Sequence, residues 1–336
     1  MTYDFDALEL DADALALGRA LNEVLPRPWH ELGVDGSREL VSSLRPTGPA
    51  QHVWSITEHE IPTRHGGVRI RTYRPGPRRY VVIYLHGGGF TFGSLDGVDA
   101  MCRLLAHKSD CSVVSVAYGL APENKFPVAL QQCVDVARWL NDHGDELDLN
   151  AERFVIAGDS AGANLAITST LLLAEEATAS PQALILAYPV TEHCVERESF
   201  ARHADGPLLT ARDIEWFWDQ YLSGPADRSN PLAVPSSSTN LQVLPPTLMF
   251  TAYNDPLRDD GAQFAAQLEA QGVEVDYRCV PGVFHGFFTE PGTLSAADRA
   301  IDAAADYARS VLVASEQSRP PVVSPYHRRP GTDKNP

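Results

Sequence analysis

The chain has 336 residues and a formal charge of −17, with 44% hydrophobic and 21% charged residues. That length suits one large α/β domain or two small ones. The acidic balance argues against nucleic acid and anionic membranes, which are bound by clustered Lys and Arg, and it disfavours a strongly anionic substrate. No apolar run approaches the roughly 18 residues of a membrane span. The five cysteines (Cys102, Cys111, Cys133, Cys194 and Cys279) are odd in number and contain no CxxC pair. They read as reduced thiols, not as a disulfide framework or a zinc site. The acidic stretch from Met1 to Asp6 lacks the basic and apolar parts of a secretory signal, so a cytoplasmic protein is expected.

In chain order, Leu10, Ala14, Leu17, Leu21 and Val24 recur at helical spacing. Pro26 and Pro28 stop that helix. From Arg27 to Ala50 the pattern is mixed and reads as a lid or capping element. Rough alternation at 53–60 and 68–73 predicts two strands, antiparallel at the amino end. Short apolar runs follow at 80–85, 112–117, 154–157, 183–188 and 247–251, as expected of strands buried on both faces of a parallel sheet. Helical patterns occupy 127–141, 162–175 and 261–271, the last stopped by Gly272. Alternating strands and helices imply a doubly wound α/β sheet.

Between Thr191 and Leu244 no strand is visible. An aromatic helix at 213–222 and a Ser/Pro-rich linker at 235–240 suggest a second piece of lid. The organisation expected is a cap segment at 1–50, a catalytic domain at 51–314 with a cap insert at about 191–235, and a disordered tail at 315–336, where proline density rises and periodicity ends.

The chemistry centres on Gly158-Asp159-Ser160-Ala161-Gly162, between the strand at 154–157 and the helix that follows. A serine on so tight a strand-to-helix turn is held exposed, with glycines clearing both sides: a nucleophile elbow. His86-Gly87-Gly88-Gly89-Phe90 follows the strand at 80–85. Its backbone N–H groups can turn toward a developing oxyanion. Gly88 and Gly89 are assigned there with the N–H of Ala161, and Gly87 shapes the turn. No GxxxxGK[ST] or GxGxxG pattern supports phosphate binding instead.

A serine hydroxyl needs a base, and the base needs an orienting group. His285 lies after the strand-like run 275–280, between glycines. Asp255 follows the strand at 247–251. Asp259 and Asp260 fall at the start of the next helix and are expected to cap it. The order Ser160, Asp255, His285 is that of α/β-hydrolases.

These residues resemble the hormone-sensitive-lipase-like carboxylesterases, the bacterial family IV of the α/β-hydrolases. The resemblance covers roughly residues 55–310. It rests on His86 to Phe90, Tyr118-Gly119-Leu120-Ala121-Pro122-Glu123 with Phe126-Pro127, Gly158 to Ala166, Asp255 to Asp259, and His285-Gly286-Phe287. It implies a mostly parallel eight-stranded sheet flanked by helices, with a helical cap made from the N-terminal segment and an insert after the sixth strand. It also implies the same triad and oxyanion hole, Ser160, Asp255, His285 and Gly88, Gly89, Ala161, with no metal or cofactor. The expected partner is a small acyl ester, with no nucleic acid or membrane; a homodimer is compatible, since relatives often pair through the last strand.

The chain departs from the family at Gly119 (usually Arg), at Ala163 (usually Gly) and at Tyr253-Asn254 (usually Gly-Tyr). Loss of the arginine implies a looser loop beneath the oxyanion strand. The expected reaction is hydrolysis of short- to medium-chain esters through an acyl-enzyme on Ser160, and Trp29, Trp216, Phe217 and Trp218 suggest a crowded apolar pocket. One alternative is hydrolysis of an N-acetyl amide. Another is a non-catalytic receptor like the plant gibberellin receptors, which resemble this family but lack the catalytic histidine; His285 speaks against it.

Overall fold

The computed structural model describes Phe5 and residues 8–44, 51–193 and 196–313. The predicted tail at 315–336 and Cys194 lie outside the described residues. Eight strands form one sheet: β1 Ser55–Thr63, β2 Gly66–Arg74, β3 Tyr80–Leu85, β4 Ser112–Val116, β5 Asn150–Asp159, β6 Ala183–Ala187, β7 Thr247–Asn254 and β8 Val275–Phe284. Their spatial order is β1-β2-β4-β3-β5-β6-β7-β8. Strand β2 runs against both its neighbours, and the pairs from β4 to β8 are parallel. Every residue of β4 and β6 is buried, which is why those strands read as unbroken apolar runs.

Nine helices accompany the sheet among the described residues: α1 Ala12–Val24, α2 Trp29–Ser43, α3 Asp99–Ser109, α4 Val128–His143, α5 Ala161–Glu175, α6 Glu198–Arg202, α7 Ala211–Tyr221, α8 Arg258–Ala270 and α9 Ser295–Leu312. Helices α4, α5 and α8 pack on the face that presents Val81, Ile83 and Leu85. Helices α1, α3 and α9 pack on the face that presents Val82 and Tyr84.

Besides the five-residue α6, three longer helices escape the apolar pattern of the sequence. The buried face of α9 is mostly alanine, including Ala297, Ala304, Ala305 and Ala308. Such a face fits close to α3 but gives little apolar periodicity. Helix α3 hides a mixed face of Met101, Cys102, Leu105 and Ser109. Helix α2 occupies the stretch read as irregular; it is broken at Gly33, whose φ is 69°.

Two registers set up the site. Leu85 pairs with Gly158, so the ends of β3 and β5 lie side by side. These are also the strands where the sheet order reverses, the crevice in which doubly wound sheets place ligands. At the other end Asn254 pairs with Phe284 after an irregularity in the β7–β8 ladder. Asp255 and His285 therefore leave their strands at the same level.

Asp259 and Asp260 do not cap α8. The Asp259 carboxylate accepts 2.8 Å from the backbone N–H of Ser199, in the first turn of α6. Asp260 accepts from the Thr191 N–H at 2.9 Å, the Glu192 N–H at 3.3 Å, and the Thr191 hydroxyl. Both acids tie the start of the 191–235 insert to α8.

The loop at Gly119 has other contacts in place of the arginine. The Gly119 N–H donates to Gln132 Oε1 at 2.6 Å. A Cβ at 119 would lie 2.8 Å from Asn124 Cγ and 3.0 Å from Gln132 Oε1. Arg38 of α2 clamps the same region, donating to the carbonyls of Thr91 and Ala121 at 2.9 Å each. Its further pairing with Glu123 is half exposed and adds below about 1 kcal/mol. Replacing Gly119→Arg, the usual family residue, is expected to destabilise this protein by about 1–3 kcal/mol through overpacking; denaturant unfolding of the purified variant measures it.

Candidate active site

Ser160 sits between β5 and α5 with φ 52° and ψ −120°. For an L-residue this is a strained conformation, costing on the order of 1–3 kcal/mol. The strain is held from both sides. The Ser160 N–H donates to Ala187 O at 2.9 Å. A Cβ at Gly158 would lie 2.5 Å from the Gly162 carbonyl carbon, and a Cβ at Gly162 would run into the carbonyl oxygen of Leu85. Only glycine permits either approach.

His285 Nε2 lies 3.0 Å from Ser160 Oγ, and His285 Nδ1 lies 2.8 Å from Asp255 Oδ2. A carboxylate can only accept, so the Nδ1–H donates to Asp255 and Nε2 is left to accept the serine proton. Asp255 is fully buried. Its second oxygen accepts from the Leu257 N–H at 2.8 Å, which fixes the carboxylate plane. The three residues predicted as a triad are thus joined by one line of hydrogen bonds.

Gly88 and Gly89 have positive φ, 112° and 57°, and line the same cavity as Ser160 and His285. Their N–H groups meet no backbone acceptor among the described residues. Ala161 is buried at the first position of α5. Ala161 is not among the residues that line the cavity; its N–H lies at the positive end of the helix dipole.

The sequence reading missed what aims this loop. Asp159, beside the nucleophile, is buried; its Oδ1 accepts from the Gly87 N–H at 2.9 Å and the Tyr84 hydroxyl at 2.6 Å. Burial pushes this carboxyl upward and the two hydrogen bonds oppose the shift. The Tyr118 hydroxyl donates to the carbonyl of His86 at 2.6 Å. Burial lowers the His86 imidazole to about 4, so it stays neutral and braces the loop through stacking on Tyr118 at 4.4 Å. Only the position of Asp159 inside the elbow motif hinted at this work.

Aromatic rings close the cavity from above. Phe217 of α7 lies against Gly89, where any Cβ would strike its ring. Trp29 of α2 meets Phe92 at 4.8 Å, and Phe92 meets Phe217 at 5.6 Å. Asp213 of α7 accepts from the His30 N–H at 2.9 Å, joining α7 to α2. The cavity has a volume of about 260 Å³ and is open to solvent on one side. Trp29, Phe217 and Trp218 line it, as expected; Trp216 does not, and its ring meets that of Phe217 at 5.0 Å with a tilt of 55°.

This arrangement has relatives. The family described as alpha/beta hydrolase fold matches residues 82–289, more than half of the chain. An ethyl acetate hydrolase of Pseudomonas putida is 36% identical over 293 residues, spanning 84% of this chain and 92% of that protein. The chain belongs to the α/β-hydrolase carboxylesterases. An acetyl esterase of Salmonella schwarzengrund is 34% identical over 246 residues, spanning 72% of this esterase and 76% of that one. The solved structure of a hyperthermophilic esterase from the archaeon Pyrobaculum calidifontis is 34% identical with a TM-score of 0.83, covering 90% of this chain and 99% of that one.

The role of Asp159 in this esterase gives a direct test. Asp159→Ala leaves two buried donors unsatisfied, at about 1–3 kcal/mol each, so the variant should unfold about 2–6 kcal/mol more easily and lose kcat more than KM rises. Asp159→Asn keeps an acceptor and should recover most of both. Chemical denaturation and steady-state kinetics of the pair check it.

Proposed function

We propose that this carboxylesterase hydrolyses short- to medium-chain acyl esters through an acyl-enzyme on Ser160. The observation that carries this reading is the unbroken Asp255–His285–Ser160 hydrogen-bond line opening into a small apolar cavity. Ser160 Oγ attacks the ester carbonyl carbon as its proton passes to His285 Nε2. The carbonyl oxygen becomes an oxyanion, stabilised by the N–H groups of Gly88, Gly89 and Ala161. Collapse breaks the bond to the alkoxide, which takes the proton from His285 and leaves as alcohol. Water then enters, gives a proton to Nε2 and attacks the acyl-enzyme; the proton returns to Ser160 as the acid leaves. Asp255 holds the imidazole in the required tautomer and stabilises it when charged.

In this reading the N-terminal segment with α2 and the 191–235 insert with α7 form the cap. The support is their mutual packing through Asp213 and the Trp29–Phe92–Phe217 rings. The cavity is smaller than the roughly 300–1,000 Å³ typical of drug-sized ligands, which favours short acyl groups. No described helix is long and apolar enough to cross a membrane. The four described cysteines are free thiols, which fits a reducing compartment, and the cytoplasm is the location we propose.

Ser160→Ala should abolish turnover of p-nitrophenyl acetate and labelling by a fluorophosphonate probe, while the circular dichroism spectrum stays native. Undiminished turnover would refute the assignment. In a series of p-nitrophenyl esters, kcat/KM should fall steeply from butyrate to palmitate; a flat profile would remove the size argument.

A further inference from the structure

Glu290 has no part in the hydrolytic steps above, yet its side chain lines the same cavity as Ser160 and His285. It follows the short 3-10 turn Phe287–Thr289 that begins just after Gly286. No hydrogen bond or ion pair is described for its carboxyl, and burial alone acts on it, pushing it up to about 7. The walls around it are chiefly apolar and aromatic, among them Trp29, Val41, Phe92, Leu208 and Phe217, and no lysine or arginine is among the lining residues described. The cavity's other carboxyl, Asp159, is already engaged by Tyr84 and Gly87.

A carboxyl among apolar walls without a counter-charge is costly to ionise. A cationic ligand would remove that cost, and the aromatic faces nearby would also attract it. We propose that Glu290 makes this cavity selective for esters that carry an ammonium group. The proposal rests on the esterase reading and deepens it by naming a substrate class.

The other titratable groups facing this space are His285, His86 and Asp159, with Tyr188 and Asp255 behind the imidazole. The proton transfer to His285 is common to every ester and cancels in a ratio. Glu290 does not cancel. Above its titration it is already charged and meets a cation freely; below it, binding a cation requires loss of a proton. The preference for a cationic over an isosteric neutral ester should therefore rise with pH through about 7.

The test compares kcat/KM for acetylcholine and 3,3-dimethylbutyl acetate, which share size and acyl group and differ in charge. Wild type should favour acetylcholine by on the order of ten-fold at alkaline pH, and the ratio should shrink toward acid. Glu290→Gln should lower the ratio several-fold, to what the aromatic walls alone provide, and flatten its pH dependence. As a check independent of the variant's folding, choline should inhibit wild-type hydrolysis of p-nitrophenyl acetate better than 3,3-dimethylbutanol does. A wild-type ratio near one, a ratio unmoved in Glu290→Gln, or equal inhibition by the two alcohols overturns the proposal while leaving the esterase reading intact. A wild type that turns over neither these esters nor p-nitrophenyl acetate overturns both.

Discussion

The site depends on one close backbone approach: the N-terminus of α5 presses against the end of β3, with Gly162 in contact with the Leu85 carbonyl and Gly158 against Gly162. No side chain fits there. Because those backbones touch, Ser160 is forced into its strained turn and the Gly87–Gly89 loop arrives directly beside it. The strain is local and small against the burial of β3, β5 and α5 in the core, so the fold can sustain it. The same contact puts the positive end of α5 where negative charge develops during acyl transfer.

Around that contact the polar groups divide by task. Asp255 faces the imidazole, with one oxygen for His285 and the other for the Leu257 N–H. Asp159 serves the loop instead, with one oxygen shared by Tyr84 and Gly87. Both are buried, and both are tolerable there because each has donors to satisfy it. Glu290 is the exception. Its carboxyl borders the same space and has no hydrogen-bond donor among the described residues, which is why we propose a cationic ligand as its partner.

The segments we propose as a cap meet the site by packing more than by ion pairs. Phe217 covers Gly89, Phe90 stacks on Tyr221 at 3.8 Å, and Arg38 grips the carbonyls of Thr91 and Ala121. The Gly87–Gly89 loop, which we propose stabilises the oxyanion, is thus clamped from above by α2 and α7 and from below by Asp159. Asp259 and Asp260 anchor the start of the insert from α8, so the cap's position is tied to the strand that carries Asp255.

The sequence by itself determined the strands, the elbow and the order of the three hydrogen-bonded side chains proposed to react, because those rest on local rules. Buried parallel strands read as apolar runs, a tight strand-to-helix turn demands glycine, and each candidate residue follows a strand end. It also hinted at the cap, through two segments with no place in the sheet. Helices α2, α3 and α9 were not legible, since a Gly33 break, a mixed buried face and an alanine face carry no strong periodicity. What only the tertiary structure decided are the partnerships between distant residues: Asp159 with Gly87, Arg38 with the oxyanion loop, Asp259 and Asp260 with the insert, and Glu290 with the cavity. Those depend on strand register and on which neighbours burial removes from water, and neither is written in any local stretch of the chain.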